Sequence, residues 1–129
     1  MEIKSIFKVA SISLFFIVFV ILSIYLYWSR ERTIDFVKML GTEVSVCGDY
    51  LNRDDLKFIA LYKWLEGNKE GWQVYPVTQL PGYIYSSNNI SINVNENFVV
   101  INYKTNSGYN QVTKNADTNT IIGQCKKDS

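Results

Sequence analysis

The stretch Ile90–Tyr103, ISINVNENFVVINY, alternates and then doubles back. Ile90, Ile92 and Val94 are separated by Ser91, Asn93 and Asn95, the period of two that sends apolar side chains to one face of a strand and polar ones to the other. Asn95-Glu96-Asn97 supplies a hairpin connection, and Phe98–Tyr103 returns. Within the return, Phe98-Val99-Val100-Ile101 is apolar at every position, which predicts a central strand buried on both faces. The Ile90–Val94 strand is apolar on one face only. Its Asn/Ser face is left for solvent or a partner.

Working outward, Tyr83–Tyr85 follows the turn signal Leu80-Pro81-Gly82, and Tyr109–Thr113 follows Asn106-Ser107-Gly108. Trp72–Tyr75, closed by Pro76, reads as one more strand. Upstream the period lengthens. Asn52 reads as a helix N-cap, with Asp54 and Asp55 in a first turn whose dipole favours them. Leu56, Ile59, Ala60 and Lys63 form one stripe and Phe58, Leu61, Tyr62 and Leu65 another, so a largely buried helix is expected up to Gly67. Ile34, Val37 and Leu40 also share a stripe ahead of Gly41, predicting helix over Arg30–Leu40. Thr42–Cys47 alternates weakly and reads as a short strand or a loop. The expected class is α+β: one or two helices packed on an antiparallel meander of about four strands.

Residues 1–8 form a short tail, and residues 9–29, VASISLFFIVFVILSIYLYWS, carry no charge. At about 1.5 Å per helical residue this run spans roughly 30 Å, the hydrocarbon thickness of a bilayer. Tyr25, Leu26, Tyr27 and Trp28 stand where a signal peptide shows small residues at its cleavage site. The run is therefore expected to be a retained transmembrane signal-anchor, with residues 30–129 as one small extracytoplasmic domain.

Charge does not fix the orientation. Lys4, Lys8 and the amino terminus precede the anchor, and Arg30, Arg32 and Lys38 follow it. The cysteines decide. Cys47 and Cys125 lie 78 positions apart with no CxxC spacing and no histidine in the chain, a pattern that suits a long-range disulfide. Disulfides persist outside the cytoplasm, so the expected location is the inner membrane, single-pass, with the domain in the periplasm.

Residues 30–129 hold eleven basic and eleven acidic side chains. That neutrality removes the phosphate-neutralising argument for nucleic acid. The absence of histidine removes the commonest general base, the Ser-His-Asp and Cys-His arrangements and most zinc sites. Asp54 and Asp55 are adjacent, but helix neighbours diverge by about 100° and read as helix-end residues. No phosphate-binding glycine loop is present. The expectation is a protein that is not an enzyme and has neither metal nor cofactor.

Trp64, Trp72, Tyr75, Tyr83, Tyr85, Tyr103 and Tyr109 gather around the helix end and the strands. With Ile84 turned inward, Tyr83 and Tyr85 would be exposed beside Asn93 and Asn95, an interface-like combination of rigid aromatics and amides. These four residues are the expected partner-binding set.

A hydrophobic helix followed by a sheet and a C-terminal disulfide has the outline of a pilin, but the apolar run lacks the acidic residue of the pilin signature. In layout alone, an N-terminal anchor carrying about 100 residues and one disulfide, the chain is similar to immunity proteins that guard bacteria against toxins acting in the periplasm. That likeness implies a protein partner, a toxin, beside the bilayer contacted by residues 9–29. The other expected role is a small accessory or structural subunit of an envelope complex, working through its anchor.

Overall fold

A computed structural model describes residues 2–74 and 81–126. It divides the chain into two compact units, Met1–Arg30 and Glu31–Ser129.

The first unit is helix α1, Ile3–Ser29, 27 residues with no buried side chain and an 18-residue stretch of mean hydropathy 2.7, long and apolar enough to cross a membrane. The hydroxyls of Ser23 and Ser29 are turned onto the helix's own backbone. Ser23 Oγ donates to the Phe19 carbonyl at 2.8 Å, which satisfies a polar group where lipid would offer no partner.

The second unit is α+β. Its elements are α2 (Val37–Leu40), β1 (Glu43–Val46), β2 (Asp49–Asn52), α3 (Leu56–Gly67), β3 (Tyr83–Ser86), β4 (Ile90–Asn95), β5 (Phe98–Thr105) and β6 (Gly108–Asn115). The strands form one antiparallel sheet in the order β2-β1-β3-β4-β5-β6. The meander β3–β6 is the expected one. The sheet has six strands rather than about four because a hairpin, β1–β2, is added at the β3 edge. Cys47 and Gly48 turn that hairpin with φ of 53° and 80°, the positive values that match a two-residue connection to strand twist. Strand β5 is interior and lies one place in from the β6 edge; Val99, Val100 and Ile101 are all buried.

Register places the apolar sets together. Tyr83 faces Val94 across the ladder, Tyr85 faces Ile92 on one side and Val46 on the other, and Ile101 lies between Ile92 and Val112. Helix α3 lays Phe58, Leu61, Trp64 and Leu65 into the same core, joined by Phe36 and Leu40. Trp72, fully buried, stacks edge-on against Phe36 at 5.0 Å and donates its indole N–H to the Asn68 carbonyl at 2.7 Å.

Three local expectations are corrected. Only Val37–Leu40 of Arg30–Leu40 is helical. The backbone of Arg32 instead exchanges hydrogen bonds with Trp72, and Ile34 N–H donates to the Lys69 carbonyl, so a distant segment takes the groups a helix would have used. The N-cap of α3 is Asp55, not Asn52, so Asp54 and Asp55 precede the first turn rather than lie in it. Asn52 ends β2, its side-chain oxygen accepts the Asp54 N–H at 2.9 Å, and the Asp55 carboxylate accepts the Asn52 N–H at 2.7 Å. Nor is α3 buried all round, since Leu56 is 84% exposed and Tyr62 40%. For the expected strand Trp72–Tyr75, Trp72 and Gln73 each make one isolated bridge, to Arg32 and Thr113, and Tyr75, Pro76 and Leu80 lie outside the described residues.

Candidate functional site

The exposure expected of Tyr83 and Tyr85 is reversed. They are 5% and 2% exposed, and it is Ile84, at 36%, that faces outward. The phase follows from register: a one-residue slip would carry the whole apolar set of β3 out of the core. The two rings meet edge to face at 5.2 Å. The Tyr85 hydroxyl donates to the Ile121 carbonyl at 2.6 Å, and the Tyr83 hydroxyl accepts from Lys57 Nζ at 3.4 Å. Burial, with Tyr83 beside it, holds the Tyr85 phenol well above its usual pKa, so it remains a neutral donor. These tyrosines are struts joining the sheet to α3 and to the C-terminal segment.

Asn93 and Asn95 do lie on the outward face of β4, each half-buried. Asn93 Oδ1 accepts the Gly82 N–H at 2.7 Å and the Asn95 amide at 3.4 Å, clamping the backbone that enters β3. A side chain at Gly82 would fall on the Val94 carbonyl oxygen, which explains the glycine.

The outward face to which they belong is the larger feature. Reading across the ladder, Tyr50, Ser45, Ser86, Ser91, Asn102 and Gln111 form one row over all six strands. Ile84, Asn93, Val100 and Thr113 form the next, and Asn95, Phe98 and Asn115 a third. The only charged side chains the ladder sets on this face are Glu43 and Lys104, both at its margin beside Asn52 and Tyr109. The helices pack on the opposite face. Tyr50 and Tyr109, on the two edge strands, are 74% and 77% exposed. The face is thus a band of hydroxyls and amides that both donate and accept, interrupted by Ile84, Val100 and Phe98, with an exposed ring on each edge strand. Sequence reading found its Asn/Ser half in β4. It missed Tyr50, whose short polar strand carries little alternation, and it placed Tyr109 among the aromatics around the helix end and the strands without singling it out as exposed.

The other sequence-nominated pair is joined. Cys47 and Cys125 form a disulfide with a Cα–Cα distance of 5.3 Å. Cys125, Tyr83 and Asn95 line one cleft of about 580 Å3 whose far wall is the C-terminal segment at Ile122 and Gly123. A second groove, of about 520 Å3, lies beside α2 and α3, with Arg53, Ile59, Tyr62 and Lys63 in its walls. Among the described residues, no three His, Cys, Asp or Glu side chains converge as metal ligands would. Comparison with protein-family models, curated proteins and solved structures returned no match.

Proposed function

We propose that this chain is a membrane-anchored binding protein whose domain stands on the periplasmic side of the inner membrane and captures a protein through the outward face of its sheet. The observation that carries the reading is the composition of that face. Ser, Asn, Gln and Tyr are the residues of protein-binding surfaces that combine rigid aromatic area with adaptable hydrogen bonding, and here Tyr50, Ser45, Ser86, Ser91, Asn102 and Gln111 form a continuous row across six strands. The charge-free 9–29 segment of α1 supports the anchor, and the disulfide supports an oxidising compartment. A toxin acting in the periplasm is the partner this layout favours, with the chain as its immunity factor.

Site-specific photo-crosslinking in cells tests the reading. A benzophenone side chain at Ser91 or Asn102 is expected to give an adduct with one defined protein, and the same probe at Leu56, on the exposed side of α3, to give none. Adducts obtained only from probes along α1 would contradict it and favour an accessory subunit of a membrane complex.

A further inference from the structure

The C-terminal segment is held unevenly along its length. From Asp117 to Ile122 it is bonded at nearly every step. Trp64 donates its indole N–H to the Asp117 carbonyl at 2.8 Å, Thr118 Oγ1 donates to the Asn95 carbonyl at 2.8 Å, and Ile121 is buried under the Tyr85 hydroxyl. Ile122 closes the turn by donating to Thr118 at 2.8 Å. From Gly123 to Lys126 no hydrogen bond or ion pair is made among the described residues, and apart from packing the stretch is held there by the covalent bond from Cys125 to Cys47.

What this loose stretch covers is specific. A side chain at Gly123 would lie 2.9 Å from the Tyr83 ring, so the glycine backbone rests directly on it. Both cysteines are exposed residues. Cys47 also sits in left-handed backbone with φ of 53°, a conformation that a residue with a side chain adopts at a cost. Exposed disulfides are the class most open to thiol exchange.

We infer that Cys47–Cys125 is a releasable latch: its reduction frees Gly123–Lys126, leaves the rest of the domain folded, and uncovers Tyr83 in the cleft it shares with Asn95. The reductant is an external dithiol. One of its thiolates attacks a sulfur of the bridge and forms a mixed disulfide, and its second thiolate resolves this. Two electrons pass to the chain, Cys47 and Cys125 leave as thiols after taking up two protons, and the dithiol becomes a disulfide. Because Asp117–Ile122 keeps its own bonds, release stops at Ile122 and Tyr85 stays covered. Of the residues named for the latch only Asn95 belongs also to the outward sheet face, and the inference stands or falls independently of the partner proposed there.

The full chain in detergent is treated in the cold with dithiothreitol, its thiols are capped with iodoacetamide, and tyrosine nitration by tetranitromethane is mapped by mass spectrometry. The variant carrying Cys47→Ser and Cys125→Ser, examined without reductant, removes any effect of the cap. Nitration of Tyr83 is expected to rise roughly tenfold, toward the rate at exposed Tyr109, while Tyr85 stays protected, as a local opening requires. An unchanged Tyr83 would overturn the inference by showing that the segment stays seated without the bond. A joint rise at Tyr83 and Tyr85 would overturn it differently, by showing that the bridge is a staple for the whole fold.

Discussion

Replacing Tyr83 and Tyr85 together with alanine is expected to abolish most of the domain's stability. Large aromatic-to-alanine changes in a core cost about 3–5 kcal/mol each, somewhat less than additively for rings in contact. Small domains have roughly 5–15 kcal/mol in all. The double variant should therefore show no folded baseline in urea titration, or a midpoint shifted by most of its value. Tyr85→Phe isolates one part of the effect. It keeps the ring but deprives the buried Ile121 carbonyl of its donor, which should cost about 1–2 kcal/mol. A double variant that unfolds within about 1 kcal/mol of the native chain would mean that the rings lie on the surface, and that the register assigned to β3 is wrong.

The second large effect belongs to the disulfide. Closing a loop of 78 residues restricts the unfolded chain by roughly 4.5 kcal/mol in the chain-entropy account. The variant carrying Cys47→Ser and Cys125→Ser is expected to melt about 20 °C or more below the native domain, in a transition that remains cooperative. Calorimetry or circular dichroism reads both quantities. A melting temperature unchanged by the substitutions would show that the bridge contributes nothing to folding. A non-cooperative melt would show that it organises the core, which the latch described above forbids.

Why some of this was legible from sequence and some was not follows from how local each determinant is. The strands β3–β6 are marked by alternation and by turn residues within a few positions, and those signals survive in the structure almost unchanged. The β1–β2 hairpin is turned by Cys47-Gly48 rather than by Asn-Gly, and its second strand, Asp49–Asn52, is short and polar. Nothing local announces it. The segment before α2 has helical spacing at Ile34, Val37 and Leu40, yet its backbone is taken by Lys69 and Trp72, partners far away in sequence. Tyr-Ile-Tyr in β3 alternates equally well in either phase, because tyrosine is at home in a core or at an interface. Only the pairing of Tyr85 with Ile92 and Val46 fixes which side is in. The candidate face was half visible for the same reason: its β4 row is continuous in sequence, but the row across six strands exists only once the register is set.

The account as a whole rests on a retained anchor with the domain on the oxidising side, and a topology reporter tests that most directly. Alkaline phosphatase fused after Ser129 is expected to be active in cells, and green fluorescent protein exported through the same junction to be dark. A dark phosphatase and a fluorescent green protein would place the domain in the cytoplasm, against the disulfide argument and against a partner met in the periplasm.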